Sequence, residues 1–239
     1  MPAGQNELLR AAGLTRSFYG YPAVKGVSFA VREGEVVALT GPNGSGKTTL
    51  LNLLGGLLRP QEGKIYWGSR EITRLDAHRR ARLGIARTFQ LTRPFCHLTV
   101  YENVLVALTA RRWHQTRADR ERARMILEET GLLDRRHMPA NQLSSGALKR
   151  LELARALATS PRLLLLDEPF AALSIKEEAG LLELLRRVNE RGVAILLVSH
   201  NPRILSNLAH RILYMERGRL KGEFDRGQVP QILREGMEL

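Results

Sequence analysis

Cysteine is almost missing from this chain. Cys96 is the only one among 239 residues, which excludes a disulfide framework and suits a reducing compartment. Long apolar runs are missing too. The longest, Leu163–Leu166 and Val193–Val198, fall far short of the roughly 18 residues that cross a membrane. Residues 1–13 are polar and lack the apolar centre of a secretory signal. No low-complexity linker and no repeat of fixed period is visible. Lysine is scarce: six residues against 31 arginines. Aromatics make up only 5%, and no basic patch is interleaved with them, which argues against a nucleic-acid surface.

What is present is ordinary for a globular protein: 44% hydrophobic and 26% charged residues. The length fits one large α/β domain or two small ones. The net charge of +13 favours an anionic partner: a nucleotide, a nucleic acid or an acidic membrane face. Much of it lies in Arg79–Arg93, Arg111–Arg124 and Arg135–Arg150, either as solvated helix faces or as attraction to an anionic leaflet.

Three continuous apolar segments, Val36–Thr40, Leu163–Leu166 and Ala194–Ser199, predict buried parallel strands covered on both faces. Leu8 to Arg16, Val27 to Val31 and Lys64 to Trp67 alternate instead. They predict a small antiparallel sheet, with turns at Arg32–Gly34 and Gln61–Gly63. From about Leu91 to Leu148 the pattern is helical and rich in Arg. Tyr101–Arg112 and Asp119–Thr130 carry apolar residues at helical spacing, and Gly131 is placed to stop the second helix. The Leu50–Leu58 stripe reads as core packing.

The sharpest local signal is Gly41-Pro42-Asn43-Gly44-Ser45-Gly46-Lys47-Thr48, directly after a strand and before a helical stretch. It matches the phosphate-binding pattern G-x-x-x-x-G-K-[ST] in the context that pattern needs. Glycines let the backbone turn tightly and aim N–H groups at phosphate oxygens, and the next helix adds its positive end. Lys47 is expected to reach the outer phosphates, and Thr48 to ligate Mg²⁺. A second signal is Leu163-Leu164-Leu165-Leu166-Asp167-Glu168, a buried strand ending in two carboxylates. Ligands of parallel sheets bind at the carboxyl ends of strands. Asp167 is expected to hold Mg²⁺ and Glu168 to act as general base on a water. The plain alternatives are a glycine-rich turn and a pair of solvated strand-end acids.

With both motifs placed, the chain resembles the ATP-binding subunits of ABC transporters. Four further elements match in the family's order. Gln90, in Ala86-Arg87-Thr88-Phe89-Gln90, matches the Q-loop glutamine. Leu143-Ser144-Ser145-Gly146-Ala147 matches the signature motif. Phe170-Ala171-Ala172-Leu173-Ser174 matches the D-loop, and His200 the switch histidine. The resemblance runs from about Leu8 to Gly222. It implies a P-loop NTPase α/β fold with a parallel-sheet core, an N-terminal antiparallel β subdomain and an inserted α-helical subdomain. The expected division is a single domain: 1–90 with 151–222 as catalytic core, 91–150 as helical subdomain, and 223–239 as a tail.

The resemblance also implies roles. Gln90 would bind Mg²⁺ with Thr48 and Asp167 and sense the γ-phosphate, acting beside Glu168 and His200. Gly41, Asn43, Gly44, Ser45, Gly46, Lys47, Thr48 and Thr49 would cradle ATP. Phe18, with Tyr19 beside it, would stack on adenine; the plain alternative for Phe18 is a core position. Ser144, Ser145 and Gly146 would meet ATP held by a second subunit, at the start of a helix running to Ala158. Partners would be a second ATPase subunit, integral membrane permease subunits and, for an importer, a periplasmic binding protein indirectly. The place of work would be the cytoplasmic face of the inner membrane. An apolar groove beside Gln90, lined by Phe95, Leu98 and Val100, would receive a helix of the permease.

Three positions depart from the pattern: Ala147 for the usual Gln, Ser174 for Asp or Asn, and Asn201 for Asp after the histidine. They bear on hydrolysis rate more than on nucleotide binding, and they admit a poorly hydrolysing ATP-binding switch. The stretches Gly84–Gln90 and Leu98–Val104 are similar to branched-chain amino acid importer ATPases. The lipopolysaccharide-export ATPases share Asp167–Ala171 and the His200-Asn201 pair. A soluble family member acting on nucleic acid or ribosomes is the rival of another class. Such proteins usually carry two ATPase units or a long coiled-coil insert, whereas here fewer than 60 residues separate Gln90 from Ser144.

Overall fold

Strand and helix alternate along the chain, and the strands sort into two sheets by their burial pattern. The computed structural model describes residues 6–88, 94–110 and 114–229. It opens with a hairpin of β1 (Glu7–Phe18) and β2 (Tyr21–Arg32), followed by β3 (Val36–Thr40) and α1 (Lys47–Leu54). Then come β4 (Glu62–Trp67), β5 (Arg70–Glu71), α2 (Ala77–Arg82) and β6 (Ile85–Arg87). Three helices follow: α3 (Val100–Thr109), α4 (Arg117–Glu129) and α5 (Ser145–Ala158). The chain continues through β7 (Leu163–Asp167), α6 (Ile175–Glu190), β8 (Ala194–Val198) and α7 (Pro202–Leu208). It closes with β9 (Arg211–Glu216) and β10 (Arg219–Asp225).

The larger sheet has the order β10-β9-β3-β8-β7-β6, parallel except for the edge strand β10. Its central strands β3, β7 and β8 are buried on both faces, as parallel strands between two layers must be. Residue parity decides the layer. Val36, Ala38, Leu164, Leu166, Ile195 and Leu197 pack with α3 to α7. Val37, Leu39, Leu163, Leu165, Leu196 and Val198 pack with α1 and the inner side of the smaller sheet. Each fully buried leucine contributes roughly 1.5–3 kcal/mol. The smaller sheet is antiparallel, in the order β2-β1-β4-β5. Tyr19 and Gly20, both at positive φ, form the two-residue turn of its hairpin.

Local chemistry sets the helix starts. Thr99 with Glu102, Thr116 with Asp119 and Ser174 with Glu177 form capping boxes, while Asn201 caps α7 with Pro202 at its first position. Gly131 at φ 68 ends the α4 turn as the sequence predicts. Buried Asn103 organises the segment before α3. Its amide donates to the carbonyls of Phe95, Leu98 and Thr99 and its oxygen accepts from the Phe95 N–H.

The α/β architecture expected from the sequence is the one observed, with longer antiparallel strands than the alternation alone marks. Four strands, β5, β6, β9 and β10, are not marked by the sequence pattern. β10 runs through Asp225, so the boundary expected at 222/223 falls inside a strand whose Asp225 pairs with Arg211. Likewise the 150/151 boundary falls inside α5, because its apolar face stays continuous to Ala158.

Candidate functional site

β3 delivers the chain to the sheet's carboxyl edge, where loop 41–46 turns it into α1. Two glycines there are obligatory. Gly41, at φ 134, lies against the Met215 backbone, and Gly46, at φ 107, against the Ala23 carbonyl, so a β-carbon at either would collide with main chain. Gly46 caps α1 without a side-chain hydrogen bond, and no acidic residue lies in the first turn. The first N–H groups of α1 are left for an anion. Lys47 folds onto the loop: its Nζ donates to the carbonyls of Gly41 at 2.7 Å and Pro42 at 2.9 Å. Burial lowers its pKa, while Glu168 and Asp167 act the other way. A cleft of about 310 Å³ opens over this loop, lined by Ala23, Asn43 through Thr49, and Glu168.

The two acids stand at the end of β7, adjacent to β8 on one side and β6 on the other. Asp167 is buried, and its Oδ1 accepts from the Thr48 hydroxyl at 3.4 Å. Its Oδ2 pairs with the Arg87 guanidinium at 3.3 Å, and Arg87 also donates to Asn52 Oδ1 at 2.5 Å. Burial raises the Asp167 pKa against the opposing pull of Arg87, and burial lowers that of Arg87. Both directions say that the low-dielectric setting disfavours each charge even though they are paired. Glu168 leaves the strand at φ 47, a left-handed backbone uncommon for a non-glycine residue. Its carboxylate Oε1 lies 3.8 Å from His200 Nδ1, which follows β8. These two residues share a second cleft of about 220 Å³ with Phe170, Ala171, Ala172, Glu178, Ser199 and Asn201.

The fold therefore brings Asn43 through Thr49, Asp167, Glu168 and His200 to one edge, Glu168 lining both clefts. Ser144 is the exposed N-cap of α5, its hydroxyl accepting from the Ala147 N–H at 3.4 Å. Ser144, Ser145 and Gly146 are not among the residues lining either cleft. Phe18 is half-buried at the hairpin end, with the Arg16 guanidinium 5.1 Å from its ring, while Tyr19 is fully exposed. Gln90 lies outside the described residues.

The apolar groove differs from the one expected. Val100 is fully buried in the helical layer, while Phe95 stays exposed with the Arg155 guanidinium 4.8 Å from its ring centre and Leu98 is half-buried. A cleft of about 320 Å³ opens instead between the sheet edge and α5, lined among others by Leu57, Ala86, Arg87, Ala107, Glu152 and Arg155. Val100 is sealed because its backbone N–H is tied to the Met138 carbonyl, which turns the start of α3 inward.

Arg87 and Asn52 are the site residues that motif reasoning passed over. The signal for Arg87 was a cation ending a short apolar strand, Ile85-Ala86-Arg87, beside the strand that ends in Asp167. Arg80 was also missed. It is fully buried and its guanidinium donates to the carbonyls of Leu53, Leu54, Ile72, Thr73 and Leu75, clamping the end of α1. Burial lowers its pKa to about 10, so it stays protonated at neutral pH.

Comparison with known proteins agrees with this geometry. The family model described as ABC transporter matches residues 24–171. The chain is 38% identical over 226 residues to the high-affinity branched-chain amino acid transport ATP-binding protein LivG of Salmonella typhimurium, covering 88% of this chain and 89% of the relative. It is 37% identical over 215 residues to the lipopolysaccharide export system ATP-binding protein LptB of Acidithiobacillus ferridurans, covering 90% and 89%. Among solved structures, the dimeric post-hydrolysis state of the ATP-binding cassette MJ0796 bound to ADP and Pi superposes with a TM-score of 0.84 at 30% identity. That match covers 91% of this chain and 98% of the other.

Proposed function

The chain belongs to the ABC transporter family as an ATP-binding, ATP-hydrolysing subunit, and on that premise we propose that it energises branched-chain amino acid import through separate membrane subunits. The observation that carries the ATPase chemistry is one edge shared by three strand ends: the phosphate loop after β3, Asp167-Glu168 after β7 and His200 after β8. Support for the substrate class is the likeness to LivG together with Gly84–Gln90 and Leu98–Val104. The likeness to LptB makes lipopolysaccharide export the second reading.

In this mechanism loop 41–46, Lys47 and the N-terminus of α1 bind the phosphates of ATP, and Lys47 exchanges its carbonyl partners for phosphate oxygens. Thr48 and Asp167 present hard oxygen donors side by side, a set that suits Mg²⁺. They would hold it with Gln90, and the ion would neutralise charge on the phosphates. Glu168 accepts a proton from the water that attacks the γ-phosphorus, and His200 orients that water and the γ-phosphate. The bond to the bridging oxygen breaks, leaving ADP and phosphate. Ser144, Ser145 and Gly146 meet the ATP of a second subunit, as the start of a 14-residue helix is suited to do. Phe18 supports the adenine. ATP thus closes a pair of subunits and hydrolysis reopens it. The helices α3 to α5 carry that motion to the permease through the cleft beside Arg87. The site of action is the cytoplasmic face of the inner membrane; among the described residues no helix is long and apolar enough to span it.

The test is to purify a tagged Glu168→Gln form from gently solubilised native cells in ATP and identify what accompanies it. Recovery of an amino acid permease is the expected result. Recovery of a lipid-export permease would replace the substrate assignment. Recovery of ribosomes or DNA proteins from the soluble fraction, with no membrane protein, would overturn the transport role.

A further inference from the structure

Helices α5 and α6 meet through a reciprocal arrangement of glycines and charges. At Gly146, in the first turn of α5, the carboxylate of Glu177 from α6 fills the place where a side chain would begin. One turn further along, the guanidinium of Arg150 from α5 lies in the same way against Gly180 of α6. Each helix thus offers a glycine to the other's charged side chain, and the two charges are opposite. Both side chains are anchored elsewhere. Arg150 Nη1 donates to the Thr130 carbonyl at the end of α4 at 3.1 Å. Glu177 Oε2 accepts from the Ser174 N–H at 3.0 Å and the Ser174 hydroxyl at 2.7 Å. Those bonds, the backbone one first, hold the Glu177 carboxyl below its ordinary range, and Arg150 adds to them.

We propose that Glu177, seated between Ser174 and Gly146, is a positioning residue for the ATP-driven pairing of two subunits. It fixes the start of α5, with Ser144 and Gly146, relative to the loop Phe170–Ser174. The role rests on the reading above, in which Ser144 and Gly146 meet the nucleotide of a second subunit. Ser144 and Ser174 are both exposed helix caps from different parts of the chain. On this proposal both lie on the surface that meets the second subunit, and ordering their spacing beforehand lowers the cost of association. Glu177 touches both elements. It also commits the Ser174 hydroxyl to a local hydrogen bond, so this chain's departure at position 174 is matched by the carboxylate three residues on.

The experiment uses the full chain in a Glu168→Gln background, measuring ATP affinity of the single subunit and the dissociation constant of the ATP-driven dimer by sedimentation. Glu177→Gln keeps the size and an acceptor oxygen, and is expected to pair like its parent. Glu177→Ala is expected to weaken pairing about tenfold, within the range for coupled neighbours, with single-subunit ATP affinity within about twofold. Gly146→Ala must displace the carboxylate, so its penalty is expected to shrink when Glu177 is already Ala. Gly180→Ala crowds Arg150 from the other side and gives an independent variant with the same expected loss of pairing. Equal pairing by Glu177→Ala and its parent, or an undiminished Gly146→Ala penalty in the absence of Glu177, would overturn the role while leaving the two-subunit reading intact. A parent that binds ATP yet stays monomeric would overturn both.

Discussion

Arg87 and Asp167 form an ion pair 3.3 Å apart, with side-chain exposures of 8% and 2%. The pair joins the ends of adjacent parallel strands and sits beneath the Thr48 hydroxyl. Removing one partner of such a pair strands the other charge, at a cost of about 3–5 kcal/mol. Arg87→Met is expected to lower stability of the nucleotide-free chain by that order. Arg87→Lys keeps the charge but replaces the two nitrogens that reach Asn52 and Asp167 separately with one, and falls between. Urea unfolding midpoints check this; an unchanged midpoint for Arg87→Met would remove the pair from the stability account.

Glu168→Gln keeps shape and hydrogen bonding but loses the basic oxygen. Turnover is expected to drop by about 10²–10⁴-fold, the range for a positioned general base, with ATP affinity retained. Single-turnover hydrolysis is the measurement. Normal turnover would take Glu168 out of the base role.

Lys47→Ala removes the only side-chain cation among the residues lining the phosphate-loop cleft. Charge-assisted hydrogen bonds are worth about 1.5–3 kcal/mol each, so loss of contacts to two phosphates predicts at least a hundredfold weaker ATP binding. Titration with a fluorescent ATP analogue reads this directly. Unchanged affinity would argue against the phosphate-loop assignment.

Arg80→Leu removes the guanidinium donor from five carbonyls, three of them in buried bonds, although Leu53 and Ile72 each keep a backbone donor. Each orphaned group costs about 1–3 kcal/mol before relaxation, so a large loss of stability is expected, of about 3 kcal/mol or more. Because Leu53 and Leu54 end the helix whose start faces the phosphates, residual folded protein should also bind ATP more weakly. A stable Arg80→Leu variant with full ATP affinity would refute the clamp.

Glu102 accepts from the backbone N–H and the hydroxyl of Thr99, and these bonds lower its pKa from the ordinary 4.5. A lowered folded pKa adds stability that is present above 4.5 and is lost as pH falls below it. Glu102→Gln is therefore expected to flatten the fall of the melting temperature on acidification below that pH. The same slope in variant and parent would show that the cap contributes nothing through charge.

Legibility in the sequence followed the range of the interactions. The phosphate loop was readable because it is built from neighbours: glycines needed for main-chain reasons, a lysine, and a helix start within eight residues. The acids after Leu163–Leu166 were readable because a run of buried aliphatics can only end at the sheet's edge. The stop of α4 at Gly131 was readable from capping chemistry. Arg87, Arg80 and Glu177 were not, since an arginine or glutamate in a charged stretch looks like any solvated residue. Their roles depend on a carboxylate, five carbonyls and a glycine that come from elsewhere in the chain. Val100 was misjudged because an apolar residue at a helix start can face a groove or the core, and only the Met138 carbonyl decides.

The sequence by itself thus determined the α/β layering, the phosphate cradle, the paired acids and the family, all of them carried by local pattern and main-chain geometry. The tertiary structure alone decided that Arg87 neutralises Asp167, that Glu168 and His200 share one cleft, and that Glu177 sits on Gly146. Those are contacts between residues 31 to 80 positions apart in the chain, and their reach is set by strand order and helix packing rather than by any neighbour in sequence.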